Sequence, residues 1–515
     1  MHKQLHQLEL SARLQAELTR LGGAALVHVL RHACSSLDQA TDADADQQQI
    51  AWQHVERFAA EAYERSWEKL HCGAWKSIAS AWREAFAHAG VLRALCLQRK
   101  GALLECMKIL DMCLMMAGPY ALSQTHALIL QVEAQLMTQV SASREALKLE
   151  ENLRDGHEKR PAKKPRTTES AVEKYERPLA FPIRRLRFPS LDEFRQRVLL
   201  QKYGISTHAE VGQVAFNEPV IITGAMEHWP ALGRANPNRA WRDLNYFRHV
   251  AGWRTVPIEV HLLSYHHDLT LKKNKSSQLI VLLMYGGEQI GSSYLEDDWK
   301  QELMTVNEFI DRYIEPPEDF STDHERVVGY LAQHHLFDQI PVLGRDILTP
   351  DYCALSRSED DNEDDNEDIA VNAWFGPQDT VSPLHFDPKD NLLCQAVGAK
   401  YLRLYAPSES EKLYPVDGLL SNTSQVQVHL PETHAQFPLF REAKYTECVL
   451  KEGEMLFIPP GHWHFVQSLS TSFSGHSLAQ VKVHETVEVV VLDELVEPRE
   501  VLLDVRAAEL AQVHV

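Results

Sequence analysis

The sequence contains no Cys-x-x-Cys pair. Its 8 cysteines are scattered (Cys34, Cys72, Cys96, Cys106, Cys113, Cys353, Cys394 and Cys448), which excludes zinc ribbons, zinc fingers and thioredoxin-type redox sites. Long apolar runs are missing too: Leu279–Met284 spans six residues, against the ~20 of a membrane span. The opening MHKQLHQLEL has no apolar core of a secretory signal. An intracellular chain with reduced thiols is therefore expected, and no membrane partner. Positive charge is in deficit, with 52 Lys+Arg against 72 Asp+Glu and a net charge of −20. That balance argues against a protein that coats nucleic acid, and no direct nucleic-acid binding is expected. Hydrophobic content of 44% and charged content of 24% exclude wholesale disorder.

What is present falls into distinct stretches. Residues 1–150 read as a helical domain: Leu14, Leu18 and Leu21 recur at helical spacing, as do Trp75, Ile78, Trp82 and Phe86. ALLECMKILDMCLMM and ALILQVEAQLM are long, apolar and poor in Gly and Pro. This is a repeat-like bundle suited to binding protein partners, although no fixed period stands out and no chemistry gathers there. Residues 151–180 are a charged, proline-containing linker. Its Lys159, Arg160, Lys163, Lys164 and Arg166 form a basic cluster like a nuclear import signal; a nuclear location, shared or not with the cytoplasm, is expected, and a merely solvated linker is the other reading. From 181 onward come short β-branched pieces separated by Pro and Gly, such as PVIITG (219–224), KYLRLYAP (400–407) and EMLFIPPGHW (454–463). These predict a sandwich, jelly roll or barrel decorated by the helices LDEFRQRVLL and MTVNEFIDRYI. The acidic run EDDNEDDNED (359–368) reads as a solvated loop.

The chemistry concentrates in SPLHFDPKDN and PPGHWHF. His385 and Asp387 lie at i and i+2, which on a strand face the same side, and His464 would arrive from a distant strand. Two imidazoles and a carboxylate on one face of an iron ion leave positions open for a cosubstrate and oxygen. His-x-Asp alone is a weak signal: with 26 histidines, roughly two such triplets are expected by chance. His266-His267-Asp268 is a second one, in a lysine-rich stretch without strand patterning. Lys400 shares a strand face with Leu402 and Leu404; its ammonium is either neutralised there by an anionic ligand or snorkels to water.

Together these residues resemble the JmjC family of iron(II)- and 2-oxoglutarate-dependent oxygenases. The resemblance is carried by GYLAQHHLFDQIP (329–341), PDYC (350–353), VNAWFGPQDTVSPLHFDP (371–388), KYLRLYAP (400–407), LYP (413–415), NTSQV (422–426) and GEMLFIPPGHWHFV (453–466). It implies an α+β protein of several domains, a helical amino-terminal domain followed by a JmjC double-stranded β-helix (a cupin-like jelly roll) over 181–475. It implies iron held by His385, Asp387 and His464. Tyr330, Ser382, Asn391 and Lys400 fall around 2-oxoglutarate, and Trp374 lines that site. His462 is a decoy by this match, and the Pro459-Gly461-His464 spacing favours His464 as well.

The implied reaction consumes 2-oxoglutarate and O2 and oxidises a protein or histone-tail side chain. Arginyl hydroxylation is the leading expectation, helped by the absence of a zinc-finger reader, with a regulatory role in chromatin. Methyl-lysine demethylation of histone H3 is the alternative on the same chemistry, and a non-catalytic cupin-like scaffold is the third reading. Two stretches depart from the family pattern. Residues 261–290 look like a dispensable insertion. Residues 476–515 lack the expected aromatic ending and are expected to leave the sheet edge near His464 poorly closed.

Overall fold

The computed structural model describes residues 10–42, 44–72, 77–154, 179–199, 218–264, 300–316, 325–355, 369–418 and 421–479. The chain divides into two compact units. The first is helical: α1 (Ala12–Arg20), α2 (Ala24–Asp42), α3 (Ala45–Leu70), α4 (Ser80–Arg99), α5 (Leu103–Met116) and α6 (Leu122–Arg154). Side-chain oxygens start two of them, since Ser11 Oγ accepts from Leu14 N–H (3.1 Å) and Asp44 Oδ1 from Gln47 N–H (3.0 Å). Leu14 and Leu18 are fully buried, as their spacing predicts, each contributing about 1.5–3 kcal/mol. The aromatic spacing overreaches at one end. Helix α4 begins at Ser80, so Ile78 lies before it, and Trp75 is outside the described residues. Helices α4 and α5 approach closely at Gly90, where a Cβ would sit 2.1 Å from Cys113 Sγ.

A buried ion pair belongs to this unit, which takes in Trp253–Val256. Arg254 donates from Nε (2.9 Å) and Nη2 (2.6 Å) to Asp111 Oδ1, and Thr255 N–H donates to Asp111 Oδ2 (2.7 Å). Among the described residues, no helix is long and apolar enough to cross a membrane.

The second unit is built on two β-sheets, one strand of which has its first two residues, Thr255 and Val256, in the first unit. The strands are β1 (Arg185–Arg187), β2 (Val220–Thr223), β3 (Thr255–Ser264), β4 (Lys300–Thr305), β5 (Glu325–His334), β6 (Ala370–Gly376), β7 (Val381–Phe386), β8 (Asp390–Val397), β9 (Ala399–Tyr405), β10 (Tyr445–Lys451), β11 (Glu454–Ile458), β12 (Trp463–Ser468) and β13 (Ser472–Ala479). One sheet runs β1-β2-β11-β8-β13-β6-β5-β3-β4 and the other β10-β9-β12-β7. One face of each sheet lies in a shared core: Ile221, Leu393 and Leu456 from the large sheet meet Leu402, Leu450 and Val466 from the small one. This is the expected jelly-roll sandwich attached to a helical domain. The predicted decorating helices are present as helical turns at Leu191–Leu199 and Val306–Ile314. Thr305 and Glu308 cap the second reciprocally.

Of the two departing stretches, the first begins within a strand: residues 261–264 extend β3 and pair with β5, His261 opposite Val328 through Ser264 opposite Glu325. The remainder of the stretch to 290 lies outside the described residues, as do the basic cluster and the acidic run. The sheet edge near His464 is not open. Its strand β12 is flanked by β9 and β7, and β13 runs through the atypical residues to Ala479, between β8 and β6. Backbone pairing needs no aromatic side chain, so the missing aromatics leave the ladder intact. Residues beyond Ala479 lie outside the described residues.

Candidate functional site

The site lies on the inner face of the small sheet. Strand β7 carries His385 and β12 carries His464, and the register sets the two directly opposite each other. Their ring centroids are 4.2 Å apart at 55°. Asp387 follows β7, with Oδ2 3.7 Å from His464 Nε2. One ligand atom from each of His385, Asp387 and His464 lies within 4.8 Å of the others. The turn before β12 ties the set together: Gly461 adopts φ 72°, and its N–H donates to the Asp387 carbonyl (2.8 Å). A side chain at that position would strain the turn.

Hydrogen bonds select the tautomers. His385 Nδ1 is 2.7 Å from the Pro383 carbonyl and His464 Nδ1 is 3.0 Å from that of His462. A carbonyl only accepts, so both Nδ1 atoms carry a proton, which leaves Nε2 of each ring as the atom that would bind a metal. Burial, and then the neighbouring His385, pull the His464 pKa down to about 4. The approach to Asp387 is thus that of a neutral imidazole and not of an ion pair. Asn391, on β8, donates from Nδ2 to Asp387 Oδ2 (3.0 Å). Two imidazole nitrogens and one carboxylate suit a divalent first-row transition ion, and this donor set fits the iron that the sequence implies.

Lys400 does not snorkel. It is 2% exposed and donates from Nζ to Tyr330 Oη (3.1 Å) on β5. Trp374 packs on Tyr330. Ser382 lies on β7 opposite Val466 and is buried. The structure therefore brings Tyr330, Trp374 and Lys400 together deep in the sandwich, and His385, Asp387, Asn391 and His464 together nearer the β7–β8 turn. His462 lends its backbone carbonyl to His464. His266 and Asp268 lie outside the described residues. Sequence reasoning missed a buried row of hydroxyls beside Lys400, those of Thr380, Ser468 and Ser472. The parity of Ser468 with His464 and Val466 was the one signal for it.

Comparison with known proteins agrees with this geometry. The family described as "Cupin-like domain" matches residues 208–488, and "KDM8-like, N-terminal ARM repeats" matches 47–146. The second match reveals a helical repeat where no fixed period was legible, because such repeats preserve packing positions more than residue identities. Lysine-specific demethylase 8 of Danio rerio is 37% identical over 414 residues, covering 79% of this chain and 84% of that protein. Its namesake in Xenopus tropicalis is 34% identical over 447 residues, covering 79% and 85%. Jumonji C domain-containing protein 5 of Drosophila melanogaster is 37% identical over 292 residues, covering 56% and 57%. With a helical repeat domain, a cupin sandwich and a converged His-Asp-His set, the chain belongs to the JmjC cupin-like family and is an enzyme of the 2-oxoglutarate-dependent oxygenase class.

Proposed function

We propose that the chain is an iron(II)- and 2-oxoglutarate-dependent oxygenase that removes methyl groups from lysine side chains of proteins, histone tails among them. The observation that carries this reading is the convergence of His385, Asp387 and His464 in a chain similar over most of its length to relatives named lysine-specific demethylases. Those names favour demethylation over the arginyl hydroxylation that the sequence puts first.

His385, Asp387 and His464 would hold the iron, which when bound supplies the oxidising chemistry, with O2 and 2-oxoglutarate as co-reactants. The remaining steps belong to the protein. Carbonyls of Pro383 and His462 keep both imidazoles in the ligating tautomer. Asn391 holds the Asp387 carboxylate by one oxygen. Lys400, buried beside Tyr330, offers an ammonium to the distal carboxylate of 2-oxoglutarate, and Ser382 lines the space between. Burial of this row keeps water from competing for those bonds.

The helical repeats would bind protein partners, and the basic cluster at 159–166 would direct the chain to the nucleus. Incubating the purified protein with iron, 2-oxoglutarate and a methyl-lysine peptide tests the reading. Formaldehyde release with loss of the methyl group is expected. A peptide that instead retains an added oxygen on an arginine would establish the hydroxylase, and absence of succinate would refute both.

A further inference from the structure

The hydroxyl row beside Lys400 carries a consequence for cosubstrate selection, resting on the 2-oxoglutarate reading above. Pairing of β9, β12 and β7 sets Ser468 directly across from Lys400, and Ser468 N–H donates to the Thr380 carbonyl on its other side (2.9 Å). Opposed residues on paired strands hold their Cβ atoms roughly 4.5–5.5 Å apart on one face. Lys400 and Ser468 thus share the inner face, deeper than His464. Gly376 on the large sheet closes the same space: a Cβ there would meet Tyr330 Cδ2 at 2.5 Å and Thr380 Cγ2 at 3.0 Å. Ser472 pairs with that same Gly376. Tyr330, Lys400, Thr380, Ser468 and Ser472 therefore line one buried end, with Ser468 1% and Ser472 0% exposed.

Protons decide what this end can bind. A hydroxyl gives one hydrogen bond and accepts two. Thr380 Oγ1 donates to Ser468 Oγ at 2.6 Å, a shorter contact than its 3.2 Å to the Pro377 carbonyl. Ser468 and Ser472 are 2.9 Å apart, and either one can be the donor. Neither has a further side-chain acceptor among the described residues. Whichever way that bond runs, one of the two protons is left to be taken up by something else, at a depth where an unmade hydrogen bond is costly. Next to a buried ammonium, the matching group is an anion with spare lone pairs.

We infer that Ser468 is a cosubstrate-binding residue: accepting from Thr380 and Ser472, it donates its own proton to the distal carboxylate that Lys400 and Tyr330 hold. It is then a specificity determinant for a 2-oxo diacid over a 2-oxo monoacid. Lys400 supplies charge and Ser468 supplies direction.

The test uses the full chain loaded with Mn2+ in place of iron, and reads binding rather than turnover. Dissociation constants are measured by calorimetry for 2-oxoglutarate and for 2-oxopentanoate, which ends in a methyl where the first ends in a carboxylate. Ser468→Ala is expected to weaken 2-oxoglutarate at least about tenfold, the range of a hydrogen bond to a charged group, and to leave 2-oxopentanoate unchanged. Ser468→Thr is expected to restore the difference. Should the alanine variant fail to fold, Ser468→Cys, with a weak donor of similar size, is read by the same ratio. Equal 2-oxoglutarate affinity in wild type and variant overturns the inference, as does an equal loss for both ligands, which marks a purely structural role. A wild type that binds no 2-oxoglutarate overturns the cosubstrate reading itself, and this inference with it.

Discussion

Asp111 and Asp387 are two carboxylates taken largely out of water, one in each unit, and they are stabilised in opposite ways. Asp111, fully buried, faces a permanent cation: both of its oxygens accept bonds, from the Arg254 guanidinium and from Thr255 N–H. Asp387, 13% exposed at its side chain, faces His464, which is neutral near pH 7, and an amide that carries no charge. The helical unit has matched its buried charge internally, as a structural element does. The sheet unit has gathered a carboxylate and two imidazoles on one point, an arrangement that suits an added cation. The difference is between a carboxylate set against a guanidinium and one set beside two imidazoles, where a cation would bind.

Removing the ligand set should produce the largest effect. His385→Ala, Asp387→Ala and His464→Ala are each expected to abolish 2-oxoglutarate turnover, because two donors are too few to hold iron in a facial arrangement. Their far-UV circular dichroism should stay that of the wild type. Succinate formation at the wild-type rate in any of the three would show that the convergence is not the metal centre. Lys400→Ala comes next. Losing a desolvated charge partner costs about 3–5 kcal/mol, so the 2-oxoglutarate concentration for half-maximal rate should rise by roughly two to four decades. Mn2+ affinity should hold, and an unchanged 2-oxoglutarate requirement would place the cosubstrate elsewhere.

The helical side of the comparison breaks differently. Asp111→Ala takes the nearer carboxylate from the Arg254 guanidinium, 3% exposed, and leaves Glu133 at 3.6 Å, at a cost of about 3–5 kcal/mol in stability. Chemical denaturation should register that loss, while Mn2+ still binds the folded fraction with wild-type affinity. Replacing both members, Asp111→Leu with Arg254→Met, should recover much of the loss, since an apolar pair of similar volume often does as well as a buried ion pair. A double variant no more stable than Asp111→Ala would mean that the Thr255 bond, and not the ion pair, is the larger contribution.

The site was more legible in the sequence than the fold around it, for physical reasons. His385 and Asp387 show through because strand parity is a local rule, and Lys400 because a charge flanked by leucines on one face demands a partner. The Asp111–Arg254 pair links positions 143 residues apart, and within an apolar helical run Asp111 reads as an ordinary solvent-facing residue. The Thr380–Ser468–Ser472 row is likewise visible only once the strand register is known. Composition alone misleads for the carboxyl-terminal strand, because its position in the sheet decides its pairing. A central strand is held by hydrogen bonds on both sides, so GHSLA pairs without aromatic residues.

The smallest expected effect concerns how Asp387 is held. The Gly461 N–H fixes its backbone and Asn391 Nδ2 fixes one carboxylate oxygen. The second bond bears on the angle at which the carboxylate meets an ion. The amide must present its NH2 to Asp387, since an amide oxygen there would face a carboxylate oxygen with no proton between them. Asn391→Ala removes that hold without touching a ligand, and outer-shell partners of this kind are worth about ten- to a hundredfold in metal affinity. Mn2+ titration of the variant should show a weakening in that range, well short of the loss in Asp387→Ala. Asn391→Asp should be worse than alanine, because two carboxylates would then share the place of one hydrogen bond. If alanine binds Mn2+ as tightly as the wild type does, the turn at Gly461 alone orients Asp387, and the amide serves only to fill the wall of the site.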